Sequence, residues 1–159
     1  GEEPITMAMI LKEGVRITSK PPVRILATDL SNEVIQFAKM GVYPKEKLKD
    51  IPGILLKRYF KAHPGNKDHF IADETIKSLI TYGRLNLLNK WPMKGPFHII
   101  MCRNVMIYFD KETQRRLVER FYHLLEPGGY LFIGHSESIT NKEIGLRTVL
   151  PAAYQKIGA

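Results

Sequence analysis

Cysteine is nearly absent: Cys102 is the one thiol in 159 residues, so no disulfide can form within the chain. A reducing compartment is the expected setting. No apolar run approaches the roughly eighteen residues that a membrane-spanning helix needs. The opening Gly1-Glu2-Glu3-Pro4 is acidic and has neither a signal-peptide pattern nor a starting Met, so the chain is expected to be an excised piece of something longer. Phosphate-cradling glycine triplets are missing too, as is a G-x-S-x-G nucleophile elbow. His63, His69, His98, His123 and His135 do not fall at zinc-ligand spacings, and a metal site is not expected. Internal repeats and low-complexity tracts are likewise lacking.

What is present is an ordinary globular composition, 44% hydrophobic and 25% charged, which argues against a largely disordered chain. Twenty-four Lys and Arg oppose sixteen Asp and Glu for a net charge of +8, so an acidic partner is expected: nucleic acid, an anionic membrane or an acidic protein. A chain of this length suits one domain that buries about two-thirds of its unfolded surface.

Apolar periodicity predicts a helix over Glu3–Glu13, opened by Pro4 in its first turn. After breaks at Gly14, Ser19 and Pro21-Pro22, the run Val23–Ala27 reads as a strand buried on both faces, ending in Thr28-Asp29. Ser31 caps a second helix that Gly41 stops. From Val42 to Leu85, Pro44, Pro52, Pro64 and three glycines cut the chain into short pieces, and Leu55–Phe60 and His69–Ile71 fit helix or strand. Phe97–Cys102 reads as a second buried strand. Asp110 caps a helix carrying Leu117, Phe121, Leu124 and Leu125 on one face, and Gly128-Gly129 ends it. Tyr130–Ile133 is a third buried strand, and Leu146–Lys156 reads as an edge hairpin.

Strands alternating with helices give an α/β doubly wound class, in which ligands sit beyond the strand C-termini. The residues to inspect are therefore Asp29, Arg103-Asn104 and His135-Ser136-Glu137. Asp29 can accept hydrogen bonds from vicinal ribose hydroxyls, or serve only as a capping or solvated loop acid. Without a glycine loop, a cofactor lacking phosphates fits as well as a dinucleotide. Cys102 closes an apolar strand and reads as a small core residue despite the neighbouring Arg103. His135, Ser136 and Glu137 are adjacent on one loop and cannot adopt a hydrolase triad. Lys45, Lys47, Lys49, Lys57, Arg58 and Lys61, with Tyr59 and Phe60 beside them, read as a nucleic-acid surface or as a solvated face.

Four segments together carry a family resemblance: GEEP (Gly1–Pro4), ILATDLS (Ile25–Ser31), CRNVMIYFDKETQ (Cys102–Gln114) and PGGYLFIGHSES (Pro127–Ser138). Over essentially its whole length the chain resembles chemotaxis receptor methyltransferases of the CheR type. These transfer a methyl group from S-adenosylmethionine to glutamate side chains of bacterial chemoreceptors, leaving S-adenosylhomocysteine and a glutamyl methyl ester. The resemblance implies a Rossmann-like S-adenosylmethionine-dependent fold over residues 1–159, incomplete and without its first strand, with a small β-subdomain inserted at 42–75. It implies cofactor contacts from Glu3 at the methionine end, Asp29 at the ribose, Asn86 and Leu87 on the adenine side, and Cys102 and Arg103 largely through backbone groups. Tyr108 falls where the family has a tyrosine near the transferred methyl, and there its hydroxyl would orient the acceptor carboxylate; on the residues alone it could equally pack against the strand edge. The implied partner is the cytoplasmic helical domain of chemoreceptors, in the cytoplasm, with no nucleic acid and no membrane insertion.

Three departures accompany the likeness. His98 stands where the family commonly has Asp. The loop KAHPGNKDHF has one glycine, unlike the glycine-rich loop through which some members dock a receptor's C-terminal pentapeptide. The chain begins at the end of the family's glycine motif, so a complementing segment or second chain is expected to fill the gap between two strand edges, and activity of the chain alone is expected to be impaired. The alternatives weighed against this reading are a nucleic-acid methyltransferase and a degenerate domain that only docks a partner.

Overall fold

The computed structural model describes residues 1–14, 23–139 and 144–158, which form two compact units, Gly1–Asn89 and Lys90–Ala159. The breaks expected at Ser19, Pro21 and Pro22 lie outside the described residues.

In the first unit, helix α1 (Glu2–Gly14) buries Ile5, Ala8 and Met9, the i, i+3, i+4 stripe that its sequence repeats. Pro4 sits where a missing N–H costs nothing, and Glu2 and Glu3 oppose the positive end of the helix. Strand β1 (Ile25–Asp29) follows, then α2 (Asn32–Met40), whose N-cap Ser31 accepts from Val34 N at 3.3 Å. Gly41 ends α2 at φ +65°, a left-handed conformation that costs glycine little. Next come β2 (Val42–Pro44), a 3-10 turn (Lys45–Leu48), α3 (Gly53–Tyr59), β3 (Phe60–His63), β4 (Asn66–Ala72), the single-turn α4 (Glu74–Lys77) and β5 (Ile80–Arg84). Strands β2, β4 and β3 form an antiparallel sheet in that order, while β1 pairs in parallel with β5 from Ile25↔Ile80 to Asp29↔Arg84. Ile5, Met9, Ile25, Tyr43, Phe60, Ile76 and Ile80 share one core. Glu13 joins α1 to α3 through hydrogen bonds of 2.6 Å from both Tyr59 Oη and Arg58 Nη1.

The first strand differs from expectation. It starts two residues later, ends on Asp29 itself, and is not buried on both faces: Ile25 is buried but Leu26 is 42% exposed. The physical reason is that β5 covers one edge of β1, and no strand among the described residues covers the other.

The second unit holds β6 (Phe97–Cys102), a 3-10 turn (Met106–Tyr108), α5 (Lys111–Leu124), β7 (Leu125–Ile133), β8 (Leu146–Leu150) and β9 (Ala153–Lys156). Its sheet runs β6-β7-β9-β8, with β6 and β7 parallel and the other pairs antiparallel. The span of β6 is as expected, yet Ile99 and Met101 are each 39% exposed, because β6 too pairs on one side only among the described residues. Asp110 caps α5, accepting from Thr113 N at 2.7 Å, and Leu117, Val118 and Phe121 face the core. Trp91 stacks on Phe121 with centroids 5.2 Å apart, and Arg120 lies 3.7 Å over the Trp91 ring.

Helix α5 stops at Leu124 and not at Gly128-Gly129. Leu125 is already extended, buried and paired with Phe97, so tertiary pairing overrides helical periodicity before the glycines are reached. Lys156 Nζ satisfies the loose carbonyls there, donating to Tyr122 O at 3.0 Å and Leu125 O at 2.8 Å.

Candidate functional site

A cleft of about 330 Å³ opens in the first unit between the start of α1, the C-terminal half of β1 and the first face of α2. Glu3 and Asp29 are both on its wall, together with Gly1, Ala27, Ala38 and Tyr82. Asp29 reaches this position because it is the last residue of β1, where the chain turns toward α2. Its Oδ1 accepts from Ser31 N at 2.8 Å, closing an Asx turn. The two readings of Asp29 therefore coexist: one oxygen holds the turn, and the carboxylate still borders the cleft.

The wall is chemically one-sided. Among the described residues, carboxylates, small or apolar side chains, Thr28 and Tyr82 line it, and no Lys or Arg side chain does so. A phosphate would find acidic neighbours there, whereas a cationic ligand carrying hydroxyl groups would find acceptors. Small side chains at Ala27 and Ala38 leave room, and Ala38 is packed so closely against Gly1 that a Cβ on Gly1 would come within 2.8 Å of it. Tyr82 contributes an unexpected feature. Its hydroxyl is buried with no hydrogen-bond partner among the described residues, and burial pushes its pKa up. Tyr43 is pushed up above the ordinary tyrosine range, mainly by burial, and donates its hydroxyl to Gly1 O at 3.1 Å. Both hydroxyls thus stay protonated at neutral pH; that of Tyr43 is spent on Gly1 O, and that of Tyr82 is the one left to donate at the cleft.

Asn86 and Leu87 follow β5 at the same end of the strand pair as Asp29, tied there by Leu85 N donating to Asp29 O at 2.9 Å. Neither lines the cleft, and both are half-buried. Asn86 Oδ1 is committed to an Asx turn, accepting from Leu88 N at 2.9 Å.

The other three expected residues belong to the second unit. Cys102 is 7% exposed, a core residue at the end of β6 facing Ile133 in the register. Arg103 is half-buried, and Asn104 turns the chain at φ +56°, a left-handed conformation that Asn tolerates. Tyr108 ends the 3-10 turn and is 80% exposed among the described residues. Glu3 and Asp29 are thus brought together at one cleft, and Cys102, Arg103 and Tyr108 along one strand-end loop. Sequence reasoning passed over Tyr82, which no motif marks. It marked Glu137 as a strand-end residue and rejected it as a triad member, but assigned it no role.

Among the described residues no cluster of three or more His, Cys, Asp or Glu side chains could hold a metal ion, and no helix is long and apolar enough to cross a membrane.

Comparison with known proteins bears on the same residues. The family model described as CheR methyltransferase, SAM binding domain, matches residues 1–153. The chain is 41% identical over 156 residues to chemotaxis protein methyltransferase 2 of Pseudomonas aeruginosa, covering 97% of this chain and 55% of that protein. It is 40% identical over 160 residues to the chemotaxis protein methyltransferase of Borreliella burgdorferi, covering 98% and 55%, and 39% identical over 145 residues to that of Escherichia coli, covering 90% and 50%. The chain spans about half the length of the curated relatives it matches.

Proposed function

The chain belongs to the CheR methyltransferase family, as the domain that binds S-adenosylmethionine, and we propose that the intact protein methylates glutamate side chains of chemoreceptors, forming glutamyl methyl esters in chemotaxis adaptation. The observation that carries the reading is the cleft beside Glu3 and Asp29, whose acidic and apolar wall suits a cofactor with positive charge and hydroxyls but no phosphate. When bound, S-adenosylmethionine supplies an electrophilic methyl group on a positively charged sulfur.

The residues have separate tasks in this proposal. Glu3 attracts the methionine-end ammonium, and Asp29 accepts from the ribose hydroxyls. Asn86 and Leu87 border the adenine, while Cys102 and Arg103 contribute largely backbone contacts. Tyr108 extends into solvent, where its hydroxyl donates to the acceptor carboxylate and aligns it. A glutamate is already ionised at neutral pH, so no general base is required. One carboxylate oxygen forms the new bond to the methyl carbon as the carbon–sulfur bond breaks, its electron pair staying on sulfur. Alignment is then the main contribution of the protein, and well-oriented reactants gain effective molarities of ~10⁵–10⁸ M.

Residues 42–75, built around the sheet β2-β4-β3, form a β-subdomain inserted in the cofactor-binding domain in this reading. The partner is the cytoplasmic helical domain of a receptor, and the setting is the cytoplasm. The test is transfer of a labelled methyl group from the cofactor to receptor-bearing membranes by the intact protein. Alkali-labile label on receptor glutamates is the expected result. Alkali-stable label on nucleic acid would replace this reading with the nucleic-acid one, and cofactor binding without turnover on any receptor would leave a docking domain.

A further inference from the structure

Beyond β7 the chain turns through Gly134, His135 and Ser136 to Glu137, whose N–H donates to Gly134 O at 3.0 Å. The Glu137 side chain folds back over this turn. Its Oε2 accepts from Gly134 N at 2.5 Å and from Asn104 N at 3.3 Å, while Oε1 accepts from Ile107 N at 3.1 Å. Three backbone N–H groups, drawn from the loops after two parallel strands, therefore converge on one carboxylate. The loops are also in close contact. A Cβ at Gly134 would lie 2.6 Å from Asn104 Oδ1 and 2.9 Å from Asn104 N, so only glycine fits beneath the returning chain.

From helix α5, Gln114 Nε2 donates to Met106 O at 2.8 Å and to Phe109 O at 3.0 Å. Tyr108 lies between these two clamps. Its own N–H reaches Val105 O at 3.2 Å and its ring makes no packing that would fix it, being 80% exposed. The position of the tyrosine is thus set by the backbone beneath it, and that backbone by Glu137 and Gln114.

We propose that Glu137 is a positioning residue for methyl transfer, holding the Asn104–Ile107 loop so that Tyr108 meets the acceptor carboxylate. The proposal rests on the reading of Tyr108 given above. Both Glu137 oxygens are engaged by backbone N–H groups, which leaves the side chain the wrong arrangement for a base and the right one for a brace. Glutamine cannot substitute: it has one acceptor oxygen, so its NH₂ would face at least one of the three N–H donors. Aspartate keeps two acceptor oxygens but is one methylene short.

The test compares E137Q, E137D and Y108F in the intact protein, measuring kcat and KM for receptor methylation, dissociation constants for S-adenosylhomocysteine, and thermal midpoints. A displacement of order 1 Å costs about 10²-fold in rate, so E137Q is expected to lose about that much kcat with its affinity for S-adenosylhomocysteine little changed. E137D is expected to fall between E137Q and wild type, and it carries the test if E137Q does not fold. A folded E137Q or E137D with wild-type kcat, alongside an impaired Y108F, overturns the proposal for Glu137 alone. Wild-type kcat in Y108F removes the reading beneath it and the proposal with it. A lowered thermal midpoint with unchanged kcat per folded molecule also overturns it, by reducing Glu137 to a stabilising role.

Discussion

Substitution of Asp29 separates its two tasks. In D29N the side-chain oxygen can still accept from Ser31 N, the contact seen at 2.8 Å, so the turn into α2 should persist. The second position becomes an NH₂ donor and the charge is lost, so hydroxyl groups that would donate to a carboxylate meet a poor partner. Hydrogen bonds to charged groups contribute about 1.5–3 kcal/mol. Loss of about 2 kcal/mol corresponds to ~30-fold weaker binding. Calorimetric titration of the intact protein with S-adenosylhomocysteine is expected to show that loss in D29N with little change in thermal midpoint. D29A should lose the same affinity and, in addition, some stability through the unsupported turn. A D29N protein that binds within about twofold of wild type would refute the ribose assignment and leave Asp29 as a turn residue alone.

Leu131 is fully buried in β7, so Leu131→Ala should cost about 3 kcal/mol by urea unfolding, through lost burial and the cavity left behind. Asp110 is held below the ordinary carboxylate range first by the Thr113 N–H, so its cap stabilises the folded chain above the unfolded carboxyl pKa and is lost as pH falls through the folded value. Asp110→Ala should therefore lower the urea midpoint at neutral pH, and the gap from wild type should close on acidification; a gap constant down to pH ~2 contradicts this linkage. In β1, Ile25 N donates to Leu79 O at 2.8 Å, so by strand alternation the N–H groups of Ala27 and Asp29 also point toward β5 while those of Leu26 and Thr28 point to the open edge. Amide exchange should be slow at the first three and fast at the other two in this chain alone, and slow at all five in an intact protein that supplies a neighbouring strand.

Much of the fold was legible because local signals agreed with tertiary need. Pro4, Ser31, Gly41 and Asp110 begin or end helices where capping chemistry puts them. Strand burial was read less well, since Leu26, Ile99 and Met101 have the apolar character of a doubly covered strand but only one described neighbour. Within 42–85 the pattern stayed ambiguous. There Ile80–Arg84, with its glycine and its Arg, does not announce itself as the parallel partner of β1. At the site, Asp29 was visible because an acid ending an apolar strand stands where ligands of such sheets sit, although the sequence left its use in the turn equally open. Tyr82 was not, because it matters through a buried hydroxyl; Glu137 was marked by its place after a strand, but its contacts were not, because it reaches N–H groups 33 and 30 residues away. Such long-range pairings leave no spacing to read.

The strand order of the second unit constrains how it can assemble. β8 pairs only with β9 among the described strands, whereas β9 lies between β8 and β7. During synthesis β8 therefore emerges before the strand that can hold it, and gains a place in the sheet only when Ala153–Lys156 has followed. The turn at Ala152, with φ +61°, makes this a local closure, so the two strands can pair first and dock on β7 together. Any lesion that weakens Ala153–Lys156 would then release two strands at once, and with Lys156 the end of α5 as well.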